Sequence, residues 1–462
     1  MTNDIPPWQL GVAELLQRYR DGSLTPRAAL ESCFARIAEV QPKLNAFCAL
    51  RRDAALAEAD ASGERWRAGT QAGPLDGVPL AVKDNLPTAD LPTTWGSVGM
   101  AEYRPAKDEL AVARARAAGA IVVGKTNVPE FTLEGYTHNR LFGTTGNPWD
   151  PALTPGGSSG GAVAAVASGC VPLALGTDGG GSIRRPAAYA GLVGLKPSIG
   201  AVAREDALPP LLLDFEVVGP MARTVDDARR LFDAVRGPSP GDRRSKAVPP
   251  ASPWTQPLRV LYVPTLDDAP VDPAIAASCA RFAGRLAADG HRVTTGALPL
   301  DLSALVPRWS VIGQVGLAWL FQRHPDWKAG AAAKYLDMAR QGAEQPATVL
   351  WDLIEAAEQL RRDCAALFER FDVVVTPACA AMPWAADETH PPTIAGQPVG
   401  PRGHAVFTGW VNAAGLPGLA LPCDPARDGM PIGVQLVADH GRDDALLALG
   451  ATLEKEWQWP AL

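Results

Sequence analysis

The chain runs Pro155-Gly156-Gly157-Ser158-Ser159-Gly160-Gly161, then an Ala/Val-rich segment, then Gly176-Thr177-Asp178-Gly179-Gly180-Gly181-Ser182-Ile183-Arg184. This arrangement limits how the chain can fold. Glycine reaches backbone conformations closed to other residues and lets another chain or a ligand approach the main chain. Runs of Ser and Gly are also found in flexible linkers, but a linker does not pass directly into buried structure. Here an apolar helix is expected from Gly161 to Ser168, and a second glycine-flanked serine ends the following segment. A phosphate-cradling loop is a further reading, since helix N-termini bind anions, yet the Gly-Lys-Ser/Thr ending of that motif is missing.

Two serines framed by glycines are candidate nucleophiles with main-chain N–H groups free to receive an oxyanion. An alkyl hydroxyl needs a base, and Gly77-Val78-Pro79-Leu80-Ala81-Val82-Lys83-Asp84-Asn85 reads as a short apolar strand that delivers a lysine. A lysine serves as a base only when neutral, so its site must lower its pKa by burial or by cationic neighbours. No histidine is needed to complete such a set. The histidines at 138, 291, 324, 390, 404 and 440 lack metal-ligand spacing, and His138, near the motifs, reads as a satisfied structural residue.

At this point the sequence resembles the amidase signature family. The resemblance is carried by the two serine motifs and by Ala81-Val82-Lys83-Asp84-Asn85. It continues through Gly119 to Asn127, Pro129-Glu130-Phe131, Phe142-Gly143 and Asn147-Pro148-Trp149. Gly194-Leu195-Lys196-Pro197 and Gly219-Pro220-Met221-Ala222-Arg223-Thr224 extend it, with a weaker echo in Gly415-Leu416-Pro417 and Pro431 to Val437. The resemblance implies Ser182 as the acyl-forming nucleophile, Lys83 as the ultimate base and Ser158 as the proton bridge. The bridging serine in the family follows a cis peptide, here Gly157–Ser158. The N–H groups of Gly179, Gly180, Gly181 and Ser182 would then form the oxyanion hole.

The family carries a larger residue where this chain has Gly179, which leads us to expect a more flexible loop and a wider pocket. Arg184 either holds the loop through Asp178, the favoured reading, or binds a substrate carboxylate. Tyr136 is expected to line the acyl pocket. Lys125 reads as a solvated turn lysine, leaving Lys83 as the better base. No metal, nucleotide, flavin or other cofactor is implied.

The expected activity is cleavage of the C–N bond of a small amide, with esters and carbamates open to the same chemistry. Alternatives are the glutaminase subunit of a tRNA-dependent amidotransferase and a non-catalytic binding protein on the same scaffold. The expected partner is a small-molecule amide, ester or carbamate substrate, with a homodimer as one assembly open to the chain. The formal net charge of −7 argues against nucleic acid as the main partner. No signal peptide is evident at the N-terminus and no apolar run is long enough to span a bilayer. Seven scattered cysteines without a CxxC pair fit a reducing compartment. The expected location is the cytoplasm.

Short apolar strands alternate with helices from Gly73 onward, which indicates an α/β fold: a large, mixed, mostly parallel twisted sheet with helices on both faces. The chain is expected to be one amidase signature domain over 1–462, with a helical arm over 1–65, a signature core over 66–236, and a variable helical substrate region with C-terminal strands over 258–462. A Pro/Ser/Arg-rich stretch from Gly237 to Pro257 reads as a surface loop. Trp309, Trp319, Trp327, Tyr335 and Trp351 stand at helical spacing and read as core.

Overall fold

A computed structural model of the protein describes residues 5–457. Its main sheet has eleven strands: β1 (Phe47–Leu50), β2 (Pro79–Lys83), β3 (Ile121–Thr126), β4 (Leu173–Asp178), β5 (Val193–Lys196), β6 (Val217–Ala222), β7 (Arg259–Tyr262), β8 (Arg292–Thr295), β9 (Val373–Pro377), β10 (Gly418–Cys423) and β11 (Ile432–Val437). Their order across the sheet is β1-β3-β2-β4-β6-β5-β10-β11-β9-β7-β8. The fold is α/β with a large mixed sheet, as the alternation indicates, but the expected mostly parallel pairing is corrected: antiparallel pairs outnumber parallel ones because strands near the middle of the sheet return against their neighbours. Parallel pairing is confined to β3–β2–β4 and β9–β7–β8. The intervening pairings from β4 to β9, and that of β1 with β3, are antiparallel.

Side chains on a strand alternate between faces, and this alternation places the site. Leu80 and Val82 of β2 join one apolar cluster with the helices Leu110–Ala117, Val225–Val235 and Pro273–Ala288. Ala81 joins another with the helices Pro26–Leu44 and Gly160–Ala167. Lys83 follows Ala81 by two residues and so belongs to this second face. The residues meeting there are small: Ala81, Ala174 and the Gly/Ala/Val sequence of Gly160–Ala167, all buried. They let that helix lie close to the sheet, which brings the Ser158 turn to the end of β2.

Elsewhere the boundaries move for local reasons. The helix Leu110–Ala117 starts only after Glu109, whose buried carboxylate turns inward to accept from Arg204 Nε at 2.8 Å. The N-terminal helical region also contributes strand β1, paired at the sheet edge with β3. Residues 303–370 are helical in several pieces, with new helices starting at Pro325 and after Pro346. Of their aromatic residues, Trp309 and Tyr335 are buried and Trp327 half-buried, but Trp319 and Trp351 are 42% and 71% exposed, so helical spacing overstated the core. No helix among the described residues is long and apolar enough to cross a membrane.

Candidate active site

The site gathers at the C-terminal ends of β2 and β4, paired in parallel with Val82 opposite Leu175. Lys83 is the last residue of β2 and is wholly buried. Its Nζ lies 2.8 Å from Ser158 Oγ, 2.8 Å from Thr177 Oγ1 and 3.1 Å from the Thr177 carbonyl oxygen. Thr177 Oγ1 also accepts from Asn85 Nδ2 at 3.0 Å. The Gly157–Ser158 peptide is cis. Burial, the largest influence, lowers the Lys83 pKa to about 7; Glu216 and Asp178 oppose the shift and the Arg204 charge adds to it.

Accessibility is graded along this group. Lys83 is 0% exposed, Ser158 1% and Ser182 8%. Lys83 and Ser158 are in hydrogen-bond contact, whereas the Ser182 hydroxyl has no hydrogen-bond partner among the described residues. Apo hydrogen bonds at reacting groups are often open and close when substrate binds.

Ser182 sits on the turn between β4 and the helix Arg184–Ala190, and Asp178 organises that turn. Its carboxylate accepts from the N–H of Gly181 (2.6 Å), Ile183 (3.1 Å) and Arg184 (3.3 Å). The first of these alters the expected oxyanion hole. The Gly181 N–H is committed to Asp178, leaving the N–H groups of Gly179, Gly180 and Ser182.

The space above this turn is bounded residue by residue. A Cβ on Gly179 would fall 2.4 Å from Leu212 Cδ1, and one on Gly180 3.2 Å from the Trp309 ring. The expectation of a pocket widened at Gly179 is thus corrected, since Leu212 fills the room a larger residue would take. Gly181 has φ +113°, and a Cβ there would meet Thr408 Oγ1 at 2.3 Å and Arg185 Nε at 2.7 Å. Both the conformation and the space require glycine. Gly181→Ala is expected to shift the turn and misplace the neighbouring Gly180 and Ser182 N–H groups, lowering kcat/KM about 100-fold, the scale on which one such donor acts. Steady-state kinetics with unfolding curves would check this; a change under threefold would show that the turn tolerates the methyl group.

The amidase family pattern matches residues 28–447, nearly the whole chain. The chain belongs to the amidase signature family. Its members are hydrolases acting on C–N bonds, and this chain is an amidase-family enzyme in that sense. It is 33% identical to a glutamyl-tRNA(Gln) amidotransferase subunit from Picosynechococcus sp., over 93% of this chain and 94% of the relative. It superposes on a 6-aminohexanoate cyclic dimer hydrolase complexed with substrate with a TM-score of 0.87, at 30% identity and 98% coverage of each chain. A bacterial aryl acylamidase of the same family also gives a TM-score of 0.87, at 26% identity, covering 97% of this chain and 96% of that one.

Within this amidase fold, Arg184 is not available to a substrate. It is fully buried and all five of its N–H donors are occupied. Nε and Nη2 bind Asp178 at 2.9 and 2.8 Å, Nη2 also reaches Asn412 Oδ1, and Nη1 binds the Thr408 carbonyl and Gln435 Oε1. Burial alone would raise the Asp178 pKa, but the Arg184 charge and hydrogen bonds, with Asn412, hold it well below the usual carboxylate range. Arg184 therefore ties the Ser182 turn to β11 and to the Thr408–Asn412 segment. Arg184→Met leaves Asp178 as an uncompensated buried charge, and a loss of roughly 3–5 kcal/mol is expected. A urea-unfolding midpoint equal to wild type would contradict that role.

Lys125 also departs from expectation. It is buried on β3 rather than solvated, 3.4 Å from Asp84 Oδ1, and donates to the Leu86 carbonyl (2.6 Å) and Thr93 Oγ1 (2.9 Å). A third buried lysine, Lys196, donates to the Pro197 carbonyl at 2.8 Å; its pKa is also lowered to about 7, chiefly by burial. Of these three, Lys83 alone touches a glycine-framed serine.

Tyr136 is buried with 8% of its surface exposed, and its hydroxyl lies 2.9 Å from Lys334 Nζ. Its main chain packs against Gly157, where a Cβ would fall 2.3 Å from the Tyr136 carbonyl oxygen. His138 is exposed, with Nδ1 2.8 Å from Thr144 Oγ1. Among the described residues no group of three His, Cys, Asp or Glu is placed to hold a metal ion. Sequence reasoning missed Thr177, Asn85, Arg185, Leu212 and Asn412 as parts of this site. The first two lie inside motifs already quoted and Arg185 directly follows one. Leu212 and Asn412 carry no local pattern.

Proposed function

We propose that the chain hydrolyses a small amide through an acyl-enzyme on Ser182, with Lys83 as base and Ser158 as proton bridge. The supporting observation is a buried amine with pKa about 7, without a carboxylate partner among the described residues, 2.8 Å from the Ser158 hydroxyl. A neutral amine has two N–H groups and one lone pair. The Thr177 carbonyl can only accept, and Thr177 Oγ1 has lone pairs to offer. With the two N–H groups directed to Thr177, the lone pair faces Ser158. Ser182 Oγ attacks the amide carbon, its proton passes to Ser158 Oγ, and the Ser158 proton passes to Lys83 Nζ. The N–H groups of Gly179, Gly180 and Ser182 receive the oxyanion. On collapse the proton returns by the same route to the leaving nitrogen, and water then releases the acid. Esters and carbamates form an equivalent tetrahedral oxyanion.

Purified protein screened against aliphatic amides, aryl amides, carbamates and glutamine is expected to turn over at least one class, and a fluorophosphonate is expected to label Ser182. Absence of both would support the binding-protein reading instead. A second enzyme reading, the glutaminase subunit of a tRNA-dependent amidotransferase, is favoured by the relative from Picosynechococcus sp.. It requires partner subunits and glutamine as the amide. Efficient turnover of other amides by the isolated chain would remove it.

A further inference from the structure

Three charged side chains from neighbouring segments act on Lys83: Glu216, Asp178 and Arg204. Asp178 is already neutralised. It binds Arg184 Nε and Nη2 and accepts from three main-chain N–H groups as well. On the β3 side, Lys125 and Asp84 pair with each other. Glu216 is placed differently. It immediately precedes β6 and stands two residues before Val218, the partner of Thr177 in the sheet. Side chains two apart share a face, so Glu216 lies on the face of the Thr177 hydroxyl that binds Lys83 Nζ. A Cβ on Gly179 would fall 3.4 Å from Glu216 Cβ, which sets Glu216 against the turn leading to Ser182.

Arg204 holds Glu216 there. Its Nη1 donates to Glu216 Oε1 at 2.5 Å, while its Nε donates to Glu109 Oε1 at 2.8 Å. One guanidinium thus serves two carboxylates, and with both ionised the trio carries one negative charge in excess. The Glu109 side chain is wholly buried, whereas that of Glu216 is 18% exposed and its Oε2 accepts no hydrogen bond among the described residues. Burial lowers the Lys83 pKa; Glu216 opposes it first, then Asp178, and Arg204 adds to it. A carboxylate bonded directly to Lys83 would keep the amine protonated and useless as a base. One bonded to Arg204 leaves the amine free, yet still attracts the ammonium once it forms.

We infer that Glu216, steered by Arg204, is a positioning residue for the base, supplying the counter-charge to the Lys83 ammonium that forms when Ser158 gives up its proton. This rests on the proposed role of Lys83 and names the group that stabilises its protonated form. The Ser158 O–H bond breaks and a Lys83 N–H bond forms; Glu216 takes no proton and stays a carboxylate throughout. Charge develops on the amine in that step, and a fixed opposite charge that needs no reorganisation lowers its cost.

The test is the rate of Ser182 labelling by a fluorophosphonate, followed from about pH 5 to 9, which needs no known substrate. In wild type the rate is expected to rise up to pH about 7 and then level off. Glu216→Gln keeps the size and the acceptor for Arg204 but removes the charge. Its acid limb is expected about 0.5–1 pH unit lower, with a plateau about 3–10-fold slower, the scale of one partly screened charge. Glu216→Ala, neutral and unable to clash, is expected to move the limb the same way, and Glu216→Asp to bring it back. A purely structural role for Glu216 would change stability or the plateau and leave the limb in place. A limb unmoved or displaced upward in a folded neutral variant overturns the inference, while the assignment of Lys83 as base stands. A flat wild-type profile, or no wild-type labelling, removes the Lys83 reading itself and the role of Glu216 with it.

Discussion

Ser182→Ala is expected to retain no more than roughly 1 part in 10^4 of wild-type turnover, the scale on which a nucleophile acts with its base as one unit. Fluorophosphonate labelling should disappear with it. The hydroxyl makes no hydrogen bond among the described residues and sits at the accessible end of the group, so the unfolding midpoint should barely move. The turn itself is held by Asp178 and Arg184, which the substitution leaves in place. Residual turnover within tenfold of wild type would refute the nucleophile assignment, whatever the substrate.

Lys83→Met is expected to lower turnover by roughly 10^2–10^4-fold, the range of a positioned general base. The wild-type log kcat/KM should rise with unit slope below pH about 7, as Lys83 loses its proton, and level off above it. A profile flat from pH 5 to 9 with chemistry rate-limiting would exclude this lysine as the base. Stability carries the same signature. The folded pKa of about 7 lies below the value of 10.5 for a free lysine. Between those values the unfolded chain holds a proton that the folded chain lacks, so stability rises with pH through that window. Below about pH 7 both states are protonated and the full cost of the buried charge is present. The difference in stability between wild type and Lys83→Met should therefore change by roughly 1.4 kcal/mol per pH unit between about 7 and 10.5. Lys196 titrates similarly in both proteins and cancels in that difference. A constant difference over the window would mean that Lys83 is not neutral when folded.

The particular residues show where sequence reasoning succeeded and where it stopped. Leu80, Ala81 and Val82 announced a buried strand, and the Gly/Ser/Ala run over 155–168 announced a tight turn entering a packed helix. Both signals are local, because apolar runs and glycine restrict the backbone over a few residues. Lys125 was misread as solvated, since a lysine shows nothing in sequence of the Asp84 carboxylate and Thr93 hydroxyl that surround it. Arg184 stayed ambiguous for the same reason. Its role depends on Thr408, Asn412 and Gln435, all more than two hundred residues away. The expected widening at Gly179 failed because Leu212, from another segment, occupies the space.

Chain order and residue type were enough for the family, the α/β class and the pairing of a strand-borne lysine with the first glycine-framed serine, because each depends on backbone preferences and short-range pattern. Folding in three dimensions was needed to remove Lys83 from water and lower its pKa. It also committed the Gly181 N–H to Asp178 and surrounded Arg184 with acceptors from β11 and the Thr408–Asn412 segment. Burial and electrostatic neighbours come from segments remote in the chain, and no local pattern encodes them.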